Sequence, residues 1–237
     1  MDAAIYKALS GSVAQTHRLE AVSQDLANVN TSGYKGQRLA FSEVLAKRLP
    51  ADDRPGGFVS VAAQRTYFGP GVLQGTGNPF HLAIEGDGFF VVQTPRGERF
   101  TRNGSFTMKA DGTVINPAGD ALLSEGGPLQ LSGGNFEVAG DGLVRSGGSE
   151  IGKLRIVRFT DPRQTVREGA NLLRSEAANV AAADSARLVQ GNLEQSNVSP
   201  IDSMLALISI NRQFESYQRA MKLMDGMTEK MINDSAR

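Results

Sequence analysis

A chain of 237 residues suffices for one large domain or two modest ones with a buried core, and an apolar fraction of 40% fits an ordinary globular protein. Lys plus Arg and Asp plus Glu number 25 each, so no net field selects nucleic acid or an anionic membrane. The absence of Cys excludes disulfides, thiolate catalysis and sulfur-based zinc sites, and with only His17 and His81 a histidine metal cluster is excluded within one chain.

The opening residues lack a basic region followed by a continuous apolar run, so no cleavable signal peptide is expected, and no stretch reaches the roughly 18 apolar residues of a membrane span. Glycine is unevenly spread along the chain: 19 of the 27 lie between Gly69 and Gly152. That segregation predicts helical ends around a turn-rich middle.

Residues 1–33 read as an amphipathic helix. Leu19, Val22, Leu26 and Val29 make the main stripe, Ile5 and Leu9 begin a weaker one, and the helix stops at Asn30-Thr31-Ser32-Gly33. Residues 34–68 read as a connector, loosely patterned through Leu39, Phe41, Val44 and Leu45 and broken at Leu49-Pro50 and Arg54-Pro55-Gly56-Gly57. Residues 69–190 read as an all-β domain with antiparallel connections. Leu82–Ile84, Phe89–Gln93, Leu129–Leu131 and Lys153–Phe159 are its strands; Asp87-Gly88, Asn103-Gly104, Asp111-Gly112 and Asp141-Gly142 are its turns.

Residues 191–237 carry the C-terminal helix, with Ser199 as N-cap and Pro200 at the first helical position. Leu207, Ile210, Phe214, Tyr217, Met221, Met224, Thr228 and Met231 repeat at heptad spacing. Charges gather opposite this seam at Arg212, Glu215, Arg219, Lys222, Glu229 and Lys230, and the flanks are mostly uncharged. Two readings stay open: one helix packed on its own domain, or a broad face that meets several neighbouring helices. The fold class expected is mixed α and β, with the terminal helices packed together in coiled-coil fashion beside a central all-β domain.

Chemistry is nearly absent. Asp87 and Asp111 precede glycines and read as turn residues, Gly69-Pro70-Gly71 and Gly75-Thr76-Gly77 are not phosphate loops, and no nucleophile elbow occurs. Arg96, Arg99 and Arg102 are interrupted by Glu98 and extend into no basic stripe. No catalytic residue, cofactor, metal, nucleic acid or small-molecule substrate is expected.

Five segments carry a resemblance. Asp25-Leu26-Ala27-Asn28-Val29-Asn30-Thr31-Ser32-Gly33-Tyr34-Lys35 is similar to the N-terminal signature of the flagellar rod and hook protein family. Ile84-Glu85-Gly86-Asp87-Gly88-Phe89-Phe90 and Thr101-Arg102-Asn103-Gly104-Ser105-Phe106 resemble its central signatures. Gly191-Asn192-Leu193-Glu194-Gln195-Ser196-Asn197-Val198 and Arg212-Gln213-Phe214-Glu215 resemble its C-terminal ones. The opening from Asp2 to Gly11 is more similar to the proximal rod branch than to the distal one. Gln24-Asp25 departs from the paired asparagines common in the family, which leaves open any contact specific to an asparagine amide.

The resemblance implies a structural subunit of the basal-body rod, crossing the periplasm and passing torque from motor to hook. Its partners would be copies of itself and other rod proteins, proximal and distal, with the flagellar type III export apparatus carrying it out without a cleaved signal. The implied assembly interface is Leu19, Val22, Leu26, Val29, Leu207, Ile210, Phe214, Tyr217, Met221 and Met224. The motif residues with an implied structural role are Asn28, Asn30, Gly33, Gly86, Asp87, Gly88, Arg102, Asn103, Gly104, Ser196 and Asn197. The alternatives are a distal rod protein and a trimeric coiled-coil fibre or adhesin.

Overall fold

A computed structural model of the chain describes residues 2–44, 58–133, 136–169, 171–183 and 185–235. Two helices flank a β-rich middle, and the chain divides into two compact units. The first holds residues 1–27, 37–67 and 199–237; the second holds Asn28–Gly36 and Phe68–Val198.

In the first unit, helix α1 (Asp2–Ala27) contacts an antiparallel hairpin of β1 (Gln37–Val44) and β2 (Phe58–Thr66), and also helix α2 (Pro200–Ser235). The helices approach closely where Gly11 leaves room for a partner: a Cβ there would lie 2.8 Å from the Tyr217 ring. Ser199 caps α2, its Oγ accepting the Asp202 N–H at 3.3 Å, as Ser-Pro predicts. The segment expected as a connector contains the hairpin instead. The ribbon is bulged, its register shifting between Ala40 and Phe41. The expected breaks at Leu49-Pro50 and Arg54-Pro55-Gly56-Gly57 lie outside the described residues, as does Leu45. The side chains of Ile5, Thr228 and Met231 likewise lie outside the description.

The second unit is built from β3 (Leu73–Gly75), β4 (Leu82–Glu85), β5 (Phe89–Thr94), β6 (Gly97–Thr101) and a series of short strands. Described pairings within it are antiparallel, as the turn spacing predicts. Asp111 and Asp141 act as turn residues, their Oδ1 atoms accepting from Thr113 N at 2.9 Å and Leu143 N at 3.1 Å. Leu129 and Leu131 are buried but lie outside the strands, where an isolated bridge joins Thr113 to Gln130. The expected strand Lys153–Phe159 divides at Leu154-Arg155 into the end of Ser149–Lys153 and the strand Ile156–Phe159. Two late strands return to the early ones: Arg187–Gln190 pairs with β4, and Asn192–Glu194 pairs with β3. Residues 191–198 therefore belong to the β unit, and the C-terminal helix begins only at Pro200.

The first four residues of β5, Phe89–Val92, are apolar without a break because both faces are covered there. Phe90 and Val92 enter one core cluster with Leu82, Phe106, Val114 and Leu122; Phe89 and Val91 enter a second with Phe100, Val157 and Phe159. Phe90 meets Phe106 edge-on, with ring centroids 5.2 Å apart. Phe90→Ala should destabilise the β unit by about 3–5 kcal/mol, the range for truncating a fully buried aromatic. Thermal unfolding followed by circular dichroism measures this; an unchanged β transition would contradict the packing described.

Candidate functional site

The motif segments converge on one buried carboxylate in the second unit. The Asn28–Gly36 segment leaves α1 through a turn in which Thr31 N donates to Asn28 O at 3.0 Å. Gly33 then takes a φ of +68°, and its N–H donates to Glu194 O at 2.7 Å. A Cβ on Gly33 would overlap the backbone of Arg102 and Asn103. Glycine is therefore required twice over, for conformation and for close approach.

Glu194 projects from Asn192–Glu194 into the interior and is 1% exposed. Its Oε1 accepts from Lys35 Nζ at 2.6 Å and from Gly71 N at 2.8 Å; its Oε2 accepts from Arg102 Nη1 at 3.1 Å. Lys35 Nζ also donates to Gly69 O at 2.8 Å. Arg102 Nη1 donates to Ile84 O at 2.8 Å and Nη2 donates to Gly86 O, so the guanidinium grips both sides of the bend before β5. Arg102 Nε is buried without an acceptor among the described residues.

Two cations thus share one anion away from water. Burial pushes the Lys35 ammonium below its ordinary pKa of 10.5; Glu194 opposes that shift and Arg102 adds to it. Burial lowers the Arg102 pKa too, against the pull of Glu194 and Asp87.

Asn197 completes the junction. Its Oδ1 accepts from Gly36 N at 2.8 Å, its Nδ2 donates to Gly69 O at 2.8 Å, and its N–H donates to Tyr34 O at 3.3 Å. On the other side, Arg167 stacks over the Tyr34 ring at 4.5 Å and donates to Lys35 O at 2.9 Å, and Asn171 Nδ2 donates to Ser32 O at 3.1 Å. The neighbouring Glu168 carboxyl is held below the usual carboxylate range, chiefly by its hydrogen bond from Arg99.

Of the motif residues, Gly33, Gly86, Arg102 and Asn197 make the junction directly. Asn103 and Gly104 support it: Asn103 Oδ1 accepts from Ser105 N at 3.0 Å, and Gly104 O accepts from Leu82 N at 3.0 Å. Asn28 shapes the turn, Ser196 Oγ accepts from Val198 N at 3.2 Å, and Asp87 is exposed on the bend with Gly88 buried beside it. Asn30 is exposed. The departure at Gln24-Asp25 is accommodated inside the first unit, where both Asp25 carboxylate oxygens accept from Gln37 N at 3.1 Å.

Among the expected interface residues of the first unit, Ile210 is buried in the single chain, while Leu19, Val22, Leu26, Leu207, Phe214, Tyr217, Met221 and Met224 are half-buried. Val29 lies in the second unit and is half-buried. A different set is open. Ile201, Met204, Leu205 and Ile208 are each at least half exposed, and Leu9 and Val13 on α1 are exposed as well. At about 100° per residue, the four α2 positions share one face roughly opposite the heptad seam. Sequence reading missed this stripe because the charges from Arg212 onward occupy the same face one turn later.

Similarity to known proteins falls on these same features. Residues 83–152 match the family described as flagellar hook protein FlgE/F/G D1 domain, and residues 189–234 match flagellar basal body rod FlgEFG protein C-terminal. The flagellar basal-body rod protein FlgF of Caulobacter vibrioides is 35% identical over 97% of this chain and 95% of its own length. The chain belongs to the flagellar rod and hook protein family. The FlgF protein of Rhizobium meliloti is 31% identical over 98% of this chain and 97% of its own, and the rod protein FlgG of Bacillus subtilis is 26% identical over 97% of each. Both matched regions include junction residues: Arg102 lies in the first, Glu194 and Asn197 in the second.

The depressed Lys35 pKa sets a pH dependence. The unfolded chain holds this proton more tightly, so the group's contribution to stability is fully present above 10.5 and is lost as pH falls through the depressed value. As pH rises toward 10.5 the β unit should gain stability from Lys35, on top of losses from other groups. Denaturant titrations of wild type and Lys35→Met should therefore diverge with rising pH, wild type gaining relative to the variant; parallel curves would contradict the assignment.

Proposed function

We propose that this chain is a structural subunit of the flagellar basal-body rod that assembles through its terminal helices and passes torque from motor to hook. The supporting observation is the end-to-end match to rod proteins, which includes both helices as well as the β unit. Within the family the reading favours the proximal rod branch, since the FlgF relatives reach 35% identity and the FlgG relative from Borreliella burgdorferi reaches 28%.

In the assembled state, the seam of Leu207, Ile210, Phe214, Tyr217, Met221 and Met224 packs in coiled-coil fashion with the α1 stripe of Leu19, Val22 and Leu26, and neighbouring subunits cover the faces that the single chain leaves open. Copies of this chain and other rod proteins are the partners. The subunit leaves the cell through the flagellar type III export apparatus without losing a signal and stands in the periplasm. It carries no catalytic activity, cofactor or metal. A growing rod needs heterologous contacts that do not close into a ring. A helix with apolar residues on opposite faces, such as α2 near Ile201–Ile208, suits that requirement better than one with a single apolar stripe. A trimeric fibre would need only the seam.

The double variant Leu205→Glu/Ile208→Glu places two charges on the exposed stripe without touching the β unit. Cells carrying it should export the subunit and lose swimming in soft agar, with the β-unit melting temperature unchanged. Swimming at the wild-type rate would contradict the role given to this face.

A further inference from the structure

The Lys35, Arg102 and Glu194 cluster does something that packing alone does not require. Its buried charges do not balance: two cations meet one buried anion, with Asp87 acting on Arg102 only from the exposed bend, in a site where Lys35 and Glu194 side chains are 4% and 2% exposed and Arg102 is 5% exposed. Each cation donates otherwise to backbone carbonyls, Gly69 O for Lys35 and Ile84 O and Gly86 O for Arg102. Carbonyl dipoles solvate a cation in part, but they do not neutralise it. Without the carboxylate, the interior of the β unit would hold two like charges in one small site.

The three residues are also widely spaced along the chain. Lys35 precedes Glu194 by 159 positions, and Arg102 precedes it by 92. Any process that makes or moves the chain from its N-terminus delivers both cations long before the anion. The carboxylate arrives on Asn192–Glu194, the strand that pairs with β3, directly after Arg187–Gln190, the strand that pairs with β4.

We infer that Glu194 is a charge latch: the β unit stays open while Lys35 and Arg102 lack an anion, and closes as one piece when the last strand brings the carboxylate between them. The latch depends only on the order of residues and the charges they carry, and holds whatever the chain assembles into. Its consequence is that a partly delivered chain cannot complete the β unit, although β4, β5 and β6 are already present. The cost of two unpaired interior cations opposes closure until residue 194 is in place. A chain that must travel extended before it folds gains protection from early folding in this way.

The test is a double-mutant cycle on the full-length protein, read as the melting temperature of the β unit. Glu194→Gln keeps the side chain's shape and its acceptor for Gly71 N but removes the charge. It should lower the melting temperature by about 10 °C, the shift expected from breaking a buried ion pair in a chain of this size. Lys35→Met removes one cation and leaves Arg102 paired with Glu194, so alone it should cost less. The latch makes a specific demand of the combination: adding Lys35→Met to Glu194→Gln should recover at least half of the lost temperature, because only one cation then lacks its anion. If the double variant melts at or below Glu194→Gln, the carboxylate acts through packing and hydrogen bonds alone and the latch is overturned. Should Glu194→Gln fail to fold at room temperature, circular dichroism of the double variant decides the matter. A folded double variant supports the latch, and an unfolded one overturns it.

Discussion

A single buried carboxylate ties three distant parts of the second unit together. Glu194 can occupy the interior only because Lys35, Arg102 and the Gly71 amide surround it, and each comes from a different part of the chain. Breaking such a pair by removing one partner costs far more than a surface ion pair contributes, on the order of 3–5 kcal/mol. The surrounding geometry follows from this requirement. Gly33 must lack a side chain so that the N-terminal segment can reach the backbone of Arg102, and Asn197 must bridge Gly36 to Gly69 so that Lys35 is aimed inward.

The junction changes where the boundary between the helices and the β structure lies. Asn28–Gly36 follows directly on α1 in sequence, yet it is tied to the β unit by hydrogen bonds from Gly33, Gly36 and Asn171 and by the ion pair of Lys35. The same holds for residues 191–198 before α2. Each helix is thus anchored in sequence to a segment held by buried charge, while parts of its own surface stay open. The two units differ in this respect: the second is tied internally by buried charge, and the first leaves apolar side chains such as Ile201 and Leu205 exposed.

Much of this architecture was legible in the residues. The Ser-Pro start of α2, the apolar run Phe89–Val92 of β5 and the turns at Asp111-Gly112 and Asp141-Gly142 state local preferences that the fold obeys, whereas the stripe read for α1 overruns the helix, which ends at Ala27 before Val29 and leaves Leu9 exposed. The hairpin β1–β2 was not legible, because in β1 only Leu39 and Phe41 keep the two-residue alternation before Glu43 and Val44 break it. The junction was half legible. Gly33, Arg102 and Asn197 stood out as motif residues, but nothing local says that Glu194 is buried rather than a solvated acid. Its pairing partners lie 159 and 92 positions away, beyond the reach of any periodicity. An available signal was composition: Glu194 is the one charged residue of the run Gly191–Val198, and Lys35 follows the uncharged stretch Leu26–Tyr34.

If buried charge fixes the junction, the motif segments flanking the helices open together with the β sheet and not with the helices. Amide hydrogen exchange on the monomeric full-length protein measures this directly. The amides of Gly33 and Gly36, and those of Asn192–Glu194, should exchange as slowly as those of Phe89–Thr94, while amides of α1 and of α2 beyond Ile210 exchange faster. Rapid exchange at Gly33 and Gly36 in step with α1, with Phe89–Thr94 still protected, would contradict it.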